Sequence, residues 1–187
     1  VADWAGMLRD GVLLAVTDGV AVTGPRPPDR DDRARAVSSA LPRHGVVGRD
    51  SAAWVHSGRR TPARTCVLVP VGVRRPEPRA DRWCAETTFD DDDVVVLDGV
   101  PVTSLERTAV DVARWYDPDT AVALLADLTT AGLDLTAVRR RLMALAGRPH
   151  VRRALGSVEA AARTRSSSGG PDPEPDVSAA RRPGGLP

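Results

Sequence analysis

Asp90-Asp91-Asp92-Asp93 is the densest run of chemistry-bearing side chains in the sequence. Carboxylates hold a divalent cation when they converge on one point from several directions. Four consecutive residues on an extended chain point apart, so the run is expected to be a solvated loop. His44, His56, Cys66 and Cys84 carry zinc-ligating atoms, yet no Cys-x-x-Cys or His-x-x-x-His pair brings two of them together. No metal is expected, and His56, two residues from Trp54, is expected at the core or its boundary. Nucleophilic catalysis needs a Ser, Cys or Thr presented beside a base at a shaped turn. Gly48-Arg49-Asp50-Ser51 and Gly170-Pro171 do not make a G-x-S-x-G elbow. Arg153-Ala154-Leu155-Gly156 reads as helix interior, not as a phosphate loop. Arg107 and Asp111 stand four apart on one helix face, where they are expected to pair or to hold neighbouring backbone rather than act as a catalytic couple. These motifs point to a protein that is not an enzyme, with no catalytic residue and no cofactor.

The other chemistry is electrostatic. Between residues 139 and 165 the chain carries Arg139, Arg140, Arg141, Arg148, Arg152, Arg153, Arg163 and Arg165 against a single acid, Glu159. On the outer faces of two consecutive helices, such a strip attracts phosphates by releasing counterions, without reading base sequence. A solvated face is the competing reading. All the basic residues apart from three histidines are arginine, so one arginine in this chain is weak evidence of phosphate recognition.

Formal net charge is +1, so no global field favours either polyanions or polycations. The 187 residues suffice for one domain or two small ones. Hydrophobic residues make up 42% and aromatics only 3%, so Val, Leu and Ala must fill the core, with Trp4, Trp54, Trp83, Trp115, Tyr116 and Phe89 as large fillers. Cys66 and Cys84 both fall in strand-like runs and read as buried free thiols, a disulfide between them being the alternative. No signal peptide is visible and no apolar run approaches the roughly 18 residues that span a bilayer, so the protein is expected to be cytoplasmic without membrane contact. The first residue is Val1 rather than Met, as in a fragment or a product of an alternative start codon.

The elements that must position these side chains follow from hydrophobic period and punctuation. Residues 2–9 suit a short helix with Trp4, Met7 and Leu8 on one side. Val12–Val16 and Val20–Thr23 flank Thr17-Asp18-Gly19, a hairpin signal. Asp29–Leu41 reads as a helix with Asp29, Asp31 and Asp32 at its positive end. Val46-Val47 is briefly apolar, and Ser51–His56 makes a short helix after Asp50, a candidate cap. Arg64–Val73 gives a buried strand and Trp83–Thr88 another, with a charged loop over 74–82. Val94–Leu97, the Asp98-Gly99 turn and Val100–Val102 make a hairpin. Thr103 and Glu106 then read as a capping box opening a helix with Leu105, Ala109, Val112, Ala113 and Tyr116 in one stripe. Thr120–Thr130 is a helix stopped by Gly132. Asp134 or Thr136 caps the next, whose stripe is Leu135, Val138, Leu142 and Leu145, and Gly147 stops it. Pro149 opens the last helix, with Val151, Ala154, Leu155 and Val158 inward. From Thr164 the Pro/Gly/Ser-rich composition predicts disorder to residue 187.

Several of these segments resemble one family. DGVPVTSLERTAVDVAR (98–114) is similar to the DGVPVTSPERTAVDLAR segment of the actinobacterial AbiEi-type antitoxins and transcriptional regulators of type IV toxin–antitoxin systems. GVVGRDSAAWVHSG (45–58), CVLVPVGVRR (66–75) and the helical region 117–155 resemble further segments of that family in the same order, so the resemblance covers about residues 1–160. It implies an α+β protein: a remnant winged helix-turn-helix over 1–24, an α/β antitoxin-like domain over 29–163 that ends in a helical bundle, and the disordered tail over 164–187. It implies a non-enzymatic repressor that binds its own promoter DNA and counters a nucleotidyltransferase-like toxin by indirect antagonism. The expected nucleic-acid contacts are Arg9, Arg139, Arg140, Arg141, Arg148, Arg152 and Arg153. Thr17 and Asp18 stand where the family's wing carries arginine, which should weaken duplex binding. Many family members also carry a domain like the very-short-patch-repair endonucleases. Its absence here leads to the expectation of a truncated or frameshifted chain, and to an alternative reading as an accessory module of such a nuclease. A decayed gene product is a third reading.

Overall fold

With Val, Ala and Leu as filling and only four Trp, one Tyr and one Phe, the chain must bring its elements close together to exclude water. The computed structural model describes residues 3–17 and 19–168. In order, the elements are α1 (Trp4–Arg9), β1 (Leu13–Thr17), β2 (Val20–Thr23), α2 (Arg30–Val37), β3 (Val46–Val47), α3 (Arg49–Ser57), β4 (Thr65–Pro70), β5 (Arg82–Thr87), β6 (Val94–Leu97), β7 (Val100–Thr103), α4 (Leu105–Trp115), α5 (Pro118–Thr130), α6 (Leu135–Ala144) and α7 (Val151–Ser168). Helix and strand are mixed, as expected.

β1 and β2 form an antiparallel pair by themselves. The other strands form a mixed sheet in the order β5-β4-β3-β7-β6. β3 lies parallel to β7 and antiparallel to β4; β5 runs parallel to β4, and β6 antiparallel to β7. The β6–β7 turn is a two-residue one, with Asp98 at φ 46° and Gly99 at φ 79°. Both signs match the primed turns that suit the twist of paired strands. At the start of α3, Gly48 passes so close to β4 that a Cβ there would meet Leu68 Cδ1 at 2.4 Å.

Two hydrophobic clusters divide the interior, and α3 serves both. Ala53 faces a helical cluster with Ala109, Val112, Leu125, Leu128, Val138, Leu142 and Ala154, drawn from α4 to α7. Ala52, Trp54 and Val55 face a second cluster with Ala34, Val37, Val47, Leu97 and Val102. Val16 of the β1–β2 hairpin joins this second cluster, so the hairpin is packed on α2 and α3.

The helix caps refine the expected boundaries. Asp29 accepts from the N–H groups of Asp31 and Asp32, and Asp32 accepts in return from the Asp29 N–H at 3.1 Å. Asp117 caps α5 and Asp134 caps α6. The expected Thr103–Glu106 box does not form. Thr103 is the last residue of β7, fully buried, with its hydroxyl 2.7 Å from that of Thr108. Ser104 caps α4 instead, accepting from the Arg107 N–H. Strand pairing of Thr103 with Val94 moved the helix start by one residue. Likewise Gly48, not Asp50, is the cap of α3. Asp50 lies inside the first turn and accepts from its neighbour Ser51. α7 runs through Ser168, past the expected break at Thr164, whose hydroxyl donates to the Ala160 carbonyl. The remainder of the expected tail, 169–187, and Asp18 of the hairpin turn lie outside the described residues. No helix among the described residues is long and apolar enough to cross a membrane.

Candidate nucleic-acid interface

The acidic run is not uniformly solvated. Asp90, Asp91 and Asp92 are exposed, but Asp93 has no exposed surface. A short 3₁₀ turn over Asp91–Asp93 tucks it inward, and its carboxylate accepts from the Asp90 N–H at 2.9 Å. Arg107 and Arg141 both donate to it. Arg107 also donates to Asp111 at 2.9 Å, to the Thr88 carbonyl at 3.0 Å and to the Thr87 hydroxyl at 2.6 Å. Its guanidinium lies over the Phe89 ring. Burial raises the Asp111 carboxyl above its usual range, and Arg107 opposes this. Asp93 and two arginines, Arg107 and Arg141, tie the 88–93 loop to α4 and α6. The expectation of a wholly solvated acidic loop failed because spacing cannot show that two arginines from other elements meet Asp93.

That network removes Arg141 from the expected contact set. Arg141 lies on the inner side of α6 and is taken by Asp93, with Asp90 at 3.9 Å. The other helical candidates divide in two. Arg139 and Arg140 are exposed on α6. Arg148, Arg152 and Arg153 are exposed where α6 turns into α7 and line one groove with Met143, His150 and Leu155. Arg9 stands apart at the end of α1, exposed, 3.8 Å from the equally exposed Asp3. From 135 to 158 the chain holds no acid, so the α6–α7 corner is cationic without internal neutralisation.

The corner extends across to α4. Arg153 donates to the Arg114 carbonyl at 2.8 Å, and Arg114 donates to the Pro149 carbonyl at 3.3 Å. Arg114 also lies over Trp115, 5.3 Å from the ring centroid. The His150 ring meets Trp115 edge-on with centroids 5.3 Å apart. Trp115 is nonetheless 43% exposed.

Arg49, at the first position of α3, completes this group. Its guanidinium lies 4.9 Å from the Trp83 ring centroid and 5.2 Å from that of Trp115. Its backbone is left-handed, at φ 51°, a conformation that costs a residue with a Cβ roughly 1–2 kcal/mol. The side chain is half-buried and its Nε is sealed from water without a hydrogen-bond partner. Among the described residues, no side-chain nitrogen of Arg49 is in a hydrogen bond or an ion pair. Arg49 has no signature in sequence, because Trp83 and Trp115 reach it from β5 and α4.

The residues around Arg49 are otherwise accounted for. Burial raises Asp50 above the usual carboxylate range, opposed by the Tyr116 hydroxyl beside it. Burial likewise pushes the Cys66 thiol well up. Cys66 and Cys84 are free thiols, aligned with Trp83 and Val67 across the parallel β4–β5 pair. His56 lies at the core boundary, as expected, with Nε2 2.8 Å from the Thr103 carbonyl oxygen, and burial lowers its pKa. Among the described residues no group of three or more His, Cys, Asp or Glu is placed to hold a metal ion.

No family model matches the chain, and no curated protein matches it. A crystal structure of the RV2827C protein from Mycobacterium tuberculosis is similar at 19% identity and a TM-score of 0.44, over 87% of this chain. The chain spans 66% of that protein's length. A likeness of this size carries no inference about activity or partner.

Proposed function

We propose that the chain is a non-enzymatic regulator of the AbiEi antitoxin type, which binds the promoter DNA of its own operon and counters a nucleotidyltransferase-like toxin. The observation that carries the DNA-binding part is the acid-free α6–α7 corner with Arg148, Arg152 and Arg153 exposed on one groove. Arg139 and Arg140 extend it along α6. Five exposed arginines on two consecutive helices and the turn between them suit a phosphate backbone, whose capture releases counterions and fixes orientation without reading bases. The α1–β1–β2 unit supports the reading as the helix and wing of a winged helix, with Arg9 at the helix end.

The antitoxin part rests on the segment resemblance over about residues 1–160. The test is a mobility shift of the full chain on DNA from upstream of its own gene, with salt varied from 50 to 200 mM. A retarded band that weakens steeply with salt supports the reading, and folded protein that shifts nothing at the lower salt overturns it. Relief of growth arrest on co-expression with a nucleotidyltransferase-like toxin encoded beside it tests the antitoxin part, and absence of such a toxin gene overturns it.

A further inference from the structure

Arg49 combines three features that a structural arginine does not need together. Its backbone is strained at φ 51°, two indoles hold its guanidinium, and none of its side-chain nitrogens is bonded among the described residues. A half-buried polar group without a partner calls for an explanation, and strained backbone is retained where the surroundings hold it for a purpose. Guanidiniums are the preferred partners of phosphates because their planar fork donates two parallel hydrogen bonds. Stacking on aromatic faces presets the plane of such a fork.

Trp115 links Arg49 to the groove at the α6–α7 corner through its edge contact with His150. Met143 and Leu155 line that groove together with Arg148, Arg152 and Arg153. Met143 is 52% exposed and Trp115 43%. Cations alone would suit a duplex backbone. Cations interleaved with exposed apolar and aromatic surface suit a strand whose bases are unpaired and free to stack.

We propose that the surface from Arg49 across Trp115 to Arg148, Arg152 and Arg153 binds single-stranded nucleic acid, with Arg49 taking one backbone phosphate and the Trp115–Met143 surface taking bases. Asp111, whose carboxylate feels the Arg49 charge, and the sequence neighbour Asp50 do not close the site to an anion: Arg107 holds Asp111 at 2.9 Å, and Asp50 lies against Tyr116 and Ser51. The inference uses the same arginine corner as the promoter reading and goes beyond it in naming an unpaired strand as ligand.

The test is fluorescence anisotropy of the full chain with a labelled mixed-sequence 20-nucleotide strand, the corresponding duplex, and a phosphoserine peptide. The expected result is tighter binding of the strand than of the duplex, with quenching of tryptophan emission. Arg49→Asn keeps a residue that tolerates left-handed backbone and is expected to weaken strand binding about ten-fold, as loss of a charged hydrogen bond should. Trp115→Ala is expected to weaken it by a similar factor. Should Arg49→Asn fail to fold by circular dichroism, Trp115→Ala and Arg152→Ala decide the matter. Folded wild type that binds no strand at 50 mM salt overturns the proposal, and so do folded variants that bind it as tightly as wild type. Peptide binding in place of strand binding overturns it too. Duplex binding without strand binding overturns this inference and leaves the promoter reading standing. Strand binding without any promoter shift does the reverse.

Discussion

Arg107 and Arg49 both lie over aromatic rings, yet they sit in opposite kinds of surroundings. Arg107 donates to two carboxylates, a carbonyl and a hydroxyl, and is only 11% exposed at its side chain. Arg49 is held by two rings and donates to nothing described. The difference separates arginine used as internal fastening from arginine with donors left over for a partner. The same contrast runs along α3. Its last turn is tied down, with His56 to Thr103 and Arg33 donating to the Val55 carbonyl at 2.9 Å. Its first turn carries Arg49.

The sharpest way to break this comparison is to remove Asp93. Asp93→Ala leaves Arg107 and Arg141 without the sealed carboxylate that both use. Breaking a buried pair by deleting one partner costs about 3–5 kcal/mol, so urea unfolding is expected to show a loss of that size. A loss under about 1 kcal/mol would place the network among ordinary surface ion pairs, which are worth no more than that.

Arg49→Asn is expected to behave differently. Relief of left-handed strain, roughly 1–2 kcal/mol, offsets loss of two stacking contacts at about 0.5–1 kcal/mol each. Stability should therefore stay within about 1 kcal/mol of wild type by urea unfolding. A drop of about 3 kcal/mol would make Arg49 a fastening like Arg107 and end the contrast.

The strand–turn–strand–helix unit from Val94 to Trp115 was legible because its signals are local: alternation, an Asp-Gly turn and an apolar stripe. Gly132, Asp134 and Gly147 also marked their boundaries by local chemistry. The sites were less legible because they are made by distant elements. Asp93 looks like its three exposed neighbours until β7 and α6 bring Ser104 and Arg141 to it. Arg141 looks like Arg139 and Arg140 until the helix phase turns it inward. Arg49 needs β5 and α4 to supply its rings, and no periodicity in α3 foretells either. The cap at Ser104 rather than Thr103 turned on whether β7 would continue one more residue.

The closed end of α3 should also be visible in pH. His56 in its neutral form can donate Nε2–H to the Thr103 carbonyl, and burial lowers its pKa below the ordinary imidazole value of about 6.5. The unfolded chain then binds the proton first. Stability from this group is complete above that ordinary value and is lost as pH falls below it toward the folded value. Burial raises Asp50 and Asp111, so their contribution has the opposite sign and grows as pH falls through their folded values toward the ordinary carboxylate range. Urea midpoints measured between pH 7.5 and 5 should decline in wild type and decline less in His56→Gln. Equal slopes would remove His56 from the fastening.

The smallest effects on stability are expected at Arg139 and Arg140, which makes them the cleanest probes of charge alone. Both are exposed on α6, and substitution to Ala should change stability by no more than about 0.5 kcal/mol. If each contacts a duplex phosphate, its removal lowers the slope of log affinity against log salt by about one. Arg152→Ala should lower that slope by a similar amount and also weaken binding of an unpaired strand. A slope unchanged at Arg139 and Arg140 but lowered at Arg152 would confine the phosphate-binding surface to the corner beside Trp115. The outer face of α6 would then be a solvated charge strip, and Arg49 would stand at the edge of the working surface rather than behind it.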